Sequence, residues 1–261
     1  MFCDGIFDKV IPPLRCWKRF GHQEIVNPAA AIKNSCNDYL CDISYRLGMK
    51  GRMNFSDPQA LDFLKEYASL FGLDTKSGIE ITESEPAISD RYAIPSAIGQ
   101  GTHNYTTVQL ARYVNTLAAK GFSYKLSLIE EIKNSNSTDV VKKEIEIQNH
   151  IKLSDDIWNV VNQGMQQFAD SNEVLKDLRI DIAGKTGTAQ ESKVRPDHAL
   201  FVCYAPADNP KITIAVRIAN GYASGNAVGV GKDILNYYFG LEKEEDIVNG
   251  KASKAYNVRT D

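Results

Sequence analysis

From Leu178 onward the chain stops repeating at the helical period and begins to read as strands. Arg179–Gln190, His198–Ala205 and Lys211–Ala219 are three strand-like runs, separated by turns containing Pro196 and Asn209-Pro210. Connections this short cannot carry a crossover, so the three strands must be consecutive antiparallel neighbours. A last helix, about Asn226 to Phe239, follows a glycine-containing turn. Upstream, the start signals are helical. Asn27-Pro28 supplies an N-cap and a proline for the first helical position, opening a helix to about Leu47 with Ile32, Tyr39, Ile43 and Leu47 on its apolar side. Asp57-Pro58 opens a second helix to about Phe71, where Gly72 is a C-terminal stop. Thr106 with Gln109 makes a capping box for a helix to about Lys120. Ser154-Asp155-Asp156 starts another, with Trp158, Val161, Met165 and Phe168 on one face. Residues 1–26 read as loop, and 73–105 as a turn-rich segment folded over the surface. Helices, then an antiparallel sheet, then a helix make an α+β chain.

At 261 residues the chain can bury a sizeable core. A net charge of -3 gives no electrostatic reason to expect nucleic acid or an anionic membrane as partner. The apolar runs are too short and broken for a transmembrane helix, and Met1-Phe2-Cys3-Asp4-Gly5 is not the start of a signal peptide. Five cysteines cannot all pair internally. Cys36 and Cys41 lie five apart on a predicted helix, roughly 140° around it, a poor disulfide geometry. Cys3 and Cys16 can either pair across a proline-rich loop or remain thiols. His22, His103, His150 and His198 stand singly, so the spacing predicts no metal and no cofactor. Gly225–Asp233 is out of register with a phosphate-binding loop and reads as a helix start.

The stretch with definite chemistry is "IAGKTGTAQ", Ile182 to Gln190. A lysine between two glycines in a strand is costly to bury unless an anion meets it. Lys185 brings a fixed charge, and the hydroxyls of Thr186 and Thr188 can donate to a carboxylate. Gly187 lets a ligand reach the backbone. At a sheet edge, such a strand can hold an extended peptide as an added strand, with the Thr188 N–H as half of an oxyanion hole.

K-T-G is one of three motifs of the serine acyl-transferases that react with penicillin, beside S-x-N and S-x-x-K. Ser35-Cys36-Asn37 supplies S-x-N upstream. Around the two motifs, "AAAIKNSCNDYLCDISYRLG", "GIEITESEPAIS", "AIGQG…TTVQLARYVNTLAAKG", "IWNVVNQGM" and "IAGKTGTAQ" resemble, in that order, the transpeptidase domain of class B penicillin-binding proteins. The opening "FCDGIFDKVIPPLRCWKRFGHQEI" resembles the elongation-type members. The resemblance covers about residues 2 to 240, with residues 241–261 left as a polar tail. It implies an incomplete penicillin-binding transpeptidase (serine β-lactamase-like) fold, with the S-x-N helix at 27–47 and the K-T-G strand at 179–190.

What the resemblance implies chemically is peptidoglycan cross-linking without a cofactor: a serine attacks the penultimate D-Ala carbonyl of a stem peptide and passes the acyl group to an amine. Carried over, Ser35 and Lys185 share a hydrogen bond and relay the proton to the leaving nitrogen. Asn37 holds the donor's amide, Thr186, Gly187 and Thr188 bind the D-Ala-D-Ala end, and Cys36 packs as a small apolar group. β-Lactams mimic that end. The family also implies a glycan polymerase as partner and a place on the outer face of the bacterial cytoplasmic membrane for the intact protein. No serine of this sequence has lysine three positions later, so the S-x-x-K nucleophile is missing. The expectation is a fragment inactive alone, whose last strand, Lys211–Ala219, has lost a neighbour. The alternatives are a non-catalytic homologue that binds wall peptide or a partner, and a β-lactam sensor or β-lactamase relative. A class A β-lactamase is disfavoured because no E-x-x-L-N stretch is present.

Overall fold

The structure, a computed structural model, describes residues 1–134, 140–191 and 194–248. The first 26 residues, expected as loop, form two small antiparallel ribbons. β1 (Phe2–Cys3) pairs with β4 (Gln23–Glu24), and β2 (Ile6–Phe7) with β3 (Leu14–Arg15). Two-residue strands are too short to show a period, which is why the sequence reads as irregular there.

The helix expected from 27 to 47 is two helices, α1 (Pro28–Lys33) and α2 (Asn37–Met49). Asn27 caps α1 as expected, its side chain accepting from the Ala30 N–H at 2.8 Å, with Pro28 just inside. The second helix, α3 (Asp57–Leu70), is capped by Ser56. Asp57 instead accepts from the N–H groups of Tyr92 and Ala93, at 3.1 and 2.8 Å, and so caps the short α4 (Ala93–Ala97). α5 (Thr107–Ala118) carries the predicted Thr106–Gln109 capping box. It also buries Arg112, whose guanidinium donates to the carbonyls of Gly72, Thr75 and Lys76 and so pins the turn-rich segment to the helix. β5 (Phe122–Tyr124) pairs with β8 (Ile147–His150), and β6 (Glu131–Lys133) with β7 (Val140–Lys142), forming a ribbon that periodicity did not announce.

α6 (Asp155–Asp170) leads to the sheet: β9 (Ala183–Ala189), β10 (His198–Ala205) and β11 (Ile212–Ile218), all antiparallel in the order β11-β10-β9. α7 (Ser224–Tyr238) follows, then a single turn, α8 (Glu244–Ile247), in the polar tail whose end lies outside the described residues. The sheet is covered on both faces. On one, Ala199, Phe201, Cys203 and Ala205 of β10 pack against Ala227, Val228 and Leu235 of α7. On the other, Val202 and Tyr204 meet Val114 of α5 and Val161 and Met165 of α6. Phe201 sits where two glycines face it: a Cβ on Gly231 would lie 2.6 Å from the ring, and one on Gly184 3.0 Å. Among the described residues no helix is long and apolar enough to cross a membrane.

Candidate active site

The break between α1 and α2 is made by Ser35 in a left-handed conformation, φ 49. The Ser35 N–H bonds the Ile32 carbonyl at 3.1 Å and the Cys36 N–H bonds the Ala31 carbonyl at 3.0 Å. These are the two bonds of a Schellman turn, with Cys36 packed on Ala31 beside it. Glycine is the usual residue at the left-handed position; a serine there costs about 1 kcal/mol. The absence of glycine is why the sequence shows no helix end at this point. The turn presents Ser35 Oγ to the sheet, where Lys185 Nζ donates to it across 150 residues of sequence.

β9 places Lys185, Thr186, Gly187 and Thr188 along one wall of a cleft of about 890 Å³. The opposite wall carries Ser35 and Asn37, with Arg15 and Trp17 from the amino-terminal ribbons, and Gln100 reaches in from the loop after α4. Lys185 Nζ also donates to the Thr186 carbonyl at 3.2 Å and stands 4.5 Å from the centroid of the Phe168 ring, a cation–π contact. Phe168, read from sequence as one of an apolar helix face, therefore has a second role under the lysine. Asn37 faces the cleft from the first turn of α2 and donates to the Arg15 carbonyl at 3.3 Å. All six predicted site residues thus line one cleft.

Residues 5–236 match the family described as "Penicillin binding protein transpeptidase domain". The chain belongs to this family. Among curated relatives it is 29% identical over 264 residues to penicillin-binding protein 2A of Bacillus subtilis (strain 168), covering 89% of this chain and 36% of that protein. To the peptidoglycan D,D-transpeptidase MrdA of Acinetobacter baumannii it is 27% identical, over 89% of this chain and 37% of that protein. The chain thus spans little more than a third of the length of these relatives. Penicillin-binding protein 2B from Streptococcus pneumoniae (strain R6) superposes with a TM-score of 0.76 at 27% identity, over 88% of this chain and 42% of that chain. The fold is that of penicillin-binding transpeptidase domains.

One feature of this transpeptidase domain departs from the sequence reading. Cys3 of β1, Cys16 after β3, His22 before β4 and Cys36 of the S-x-N turn bring their ligand atoms within 4.8 Å of one another. His22 Nδ1 lies 3.7 Å from Cys3 Sγ and 3.5 Å from Cys16 Sγ. Tetrahedral zinc at ordinary bond lengths needs a thiolate–imidazole edge of about 3.6 Å, so these two edges fit that ion, as does the chemistry of three thiols and an imidazole. His22 Nε2 is buried without a partner. The expectation that the histidines stand singly is therefore wrong for His22. Cys3 and Cys16 are free thiols rather than a disulfide. Cys36 is buried as expected, yet its sulfur belongs to this group. A hydrogen bond from the Cys36 thiol holds the Cys16 thiol below its usual range, while burial pushes Cys3 up. Spacing does not reveal the group, because only Cys16 and His22, six residues apart, are near in sequence: the ribbons and the turn, not a C-x-x-C pattern, bring all four together.

Proposed function

We propose that the intact protein carrying this chain is a peptidoglycan D,D-transpeptidase, and that the cleft binds the D-Ala-D-Ala end of a donor stem peptide. The observation that carries this reading is the hydrogen bond from Lys185 to Ser35 in a cleft walled by a K-T-G edge strand. In it, Lys185 and Ser35 move the proton towards the leaving nitrogen. Asn37 holds the donor amide, and Thr186 and Thr188 take the terminal carboxylate with the Thr188 N–H on the oxyanion. β-Lactams enter as mimics of the same end. A glycan polymerase is the partner of the intact protein, and the outer face of the cytoplasmic membrane its place. A fold neighbour at 21% identity, titled a peptidoglycan synthase complex that coordinates polymerization and crosslinking, supports the partner.

The test is binding without chemistry. The chain should bind diacetyl-L-Lys-D-Ala-D-Ala, and Lys185→Ala should weaken it by roughly 10- to 100-fold, the worth of one charge-assisted hydrogen bond. An unchanged Kd would refute the assignment of the lysine. A fluorescent penicillin should leave no covalent band on the 261-residue chain, which has no S-x-x-K serine; a labelled band would mean that another serine is the nucleophile.

For the thiol–histidine group we propose a structural zinc ion held by Cys3, Cys16, His22 and Cys36. It would cross-link the ribbons to the S-x-N turn and take no part in acyl transfer.

A further inference from the structure

Gln100 occupies a place on the β9 edge that an incoming peptide needs. Its Nε2 donates to the Thr188 carbonyl at 3.2 Å. Among the described strands, β9 pairs on one side only, with β10. In an antiparallel ladder the N–H and C=O of one residue point to the same side. The Thr188 carbonyl that receives Gln100 from outside the sheet therefore marks the side towards which the Thr188 N–H also points. A peptide added as a strand would take that carbonyl with its own amide N–H. The group now there is a carboxamide, the side-chain counterpart of a peptide amide.

The loop that carries Gln100 is held at its base and open at its tip. Ser89 is fully buried, with its Oγ 2.6 Å from Ser96 Oγ, 3.1 Å from Thr102 Oγ1, and accepting from the Thr102 N–H at 2.9 Å. The Gln100 N–H bonds the Pro95 carbonyl at 2.8 Å. Gly101 has no room for a side chain, since a Cβ would stand 2.1 Å from Ser96 Oγ. Gly99, by contrast, takes φ +78 with nothing within 4 Å of a Cβ, and Gln100 is exposed. The backbone is fixed by these bonds, while the side chain can swing out on its own rotamers without moving the loop.

We propose that Gln100 is a displaceable stand-in for the donor peptide's amide, a side-chain gate that an extended peptide must open before it can pair with β9. The proposal rests on the donor-cleft reading above and adds to it a competitor built into the chain. Any ligand using the Thr188 carbonyl must first break the Gln100 bond, and only a ligand with its own N–H at that point recovers the loss. Ligands without such a donor meet the full cost of displacement, so the gate favours extended peptides over carboxylates of similar size.

The experiment measures the Kd of diacetyl-L-Lys-D-Ala-D-Ala for the 261-residue chain by NMR titration, following the Thr188 backbone amide, in wild type, Gln100→Ala and Gln100→Met. Methionine keeps the length and bulk of glutamine and removes the donor. Both variants should bind about two- to twelve-fold more tightly, the range expected for releasing one exposed hydrogen bond. Equal or weaker binding in both variants overturns the proposal, because Gln100 is then inert or is itself a contact to the ligand. Tighter binding in the alanine variant alone overturns it as well, because bulk rather than the hydrogen bond is then the obstacle. If no variant binds while its spectrum remains that of a folded chain, the donor-cleft reading itself fails, and the gate with it.

Discussion

Removing zinc from the chain should lower its Tm by on the order of 10 °C or more, and the purified protein should carry one zinc per chain by atomic emission. Structural zinc sites contribute far more than 5 kcal/mol to folding at neutral pH, and a chain of this length shifts by roughly 2–4 °C for each kcal/mol. The direction follows from what the ion would join. Cys3 and Cys16 belong to ribbons of two-residue strands, which have little stability of their own, and Cys36 belongs to a turn that holds serine in a left-handed conformation. Without a cation, three thiols and an imidazole share a buried space in which a thiolate at Cys16 meets no positive charge and is held by the Cys36 hydrogen bond. Cys36→Ser should lose the metal and most of the same stability. A chain that binds no zinc and keeps its Tm in a chelator would sink the assignment, and a Cys3–Cys16 disulfide in peptide mass spectrometry would replace it.

The second large effect concerns the sheet. Phe201→Ala should cost about 3–5 kcal/mol, a fall in Tm of roughly 6–20 °C. The ring is fully buried between β9 and α7. Large-to-small substitutions are cheapest where neighbours collapse into the space left behind. Two of the ring's neighbours are Gly184 and Gly231, which have no side chain to move into the space, so part of the cavity should persist. Phe201 pairs in register with Thr186, next to Lys185, so the binding strand should loosen along with the core. Urea denaturation of the variant measures the loss; a cost below about 1 kcal/mol would mean that α7 closes onto β10 without the ring.

Much of this architecture was legible before any coordinates. The three strands, their antiparallel order and the cap residues Asn27 and Thr106 followed from periodicity and local chemistry, because each signal sits within a few residues. What sequence order hides is everything made by distance. Ser56 took the cap expected of Asp57, which was recruited by α4, 35 residues away. The expected 27–47 helix broke at Ser35, which turns left-handed and meets Lys185, 150 residues on. For the site, both motifs could be read directly, since their residues are adjacent in sequence. Gln100, Phe168 and the ligand group around His22 could not be, because each acquires its meaning from a neighbour on another element.

The two borders of the sheet differ in kind. β9 offers small and polar residues around a lysine, Ala-Gly-Lys-Thr-Gly-Thr-Ala, and a charge on an edge strand discourages a second copy from docking there. β11 reads Ile-Thr-Ile-Ala-Val-Arg-Ile, with strong β-propensity and a single charge at Arg217. Among the described strands it is paired on one side only. On the proposed reading, solubility and peptide recognition are thereby separated in space: the border proposed to accept a peptide is also the one less suited to self-association. If copies of this chain associate as concentration rises, the contact is expected at the opposite border, β11.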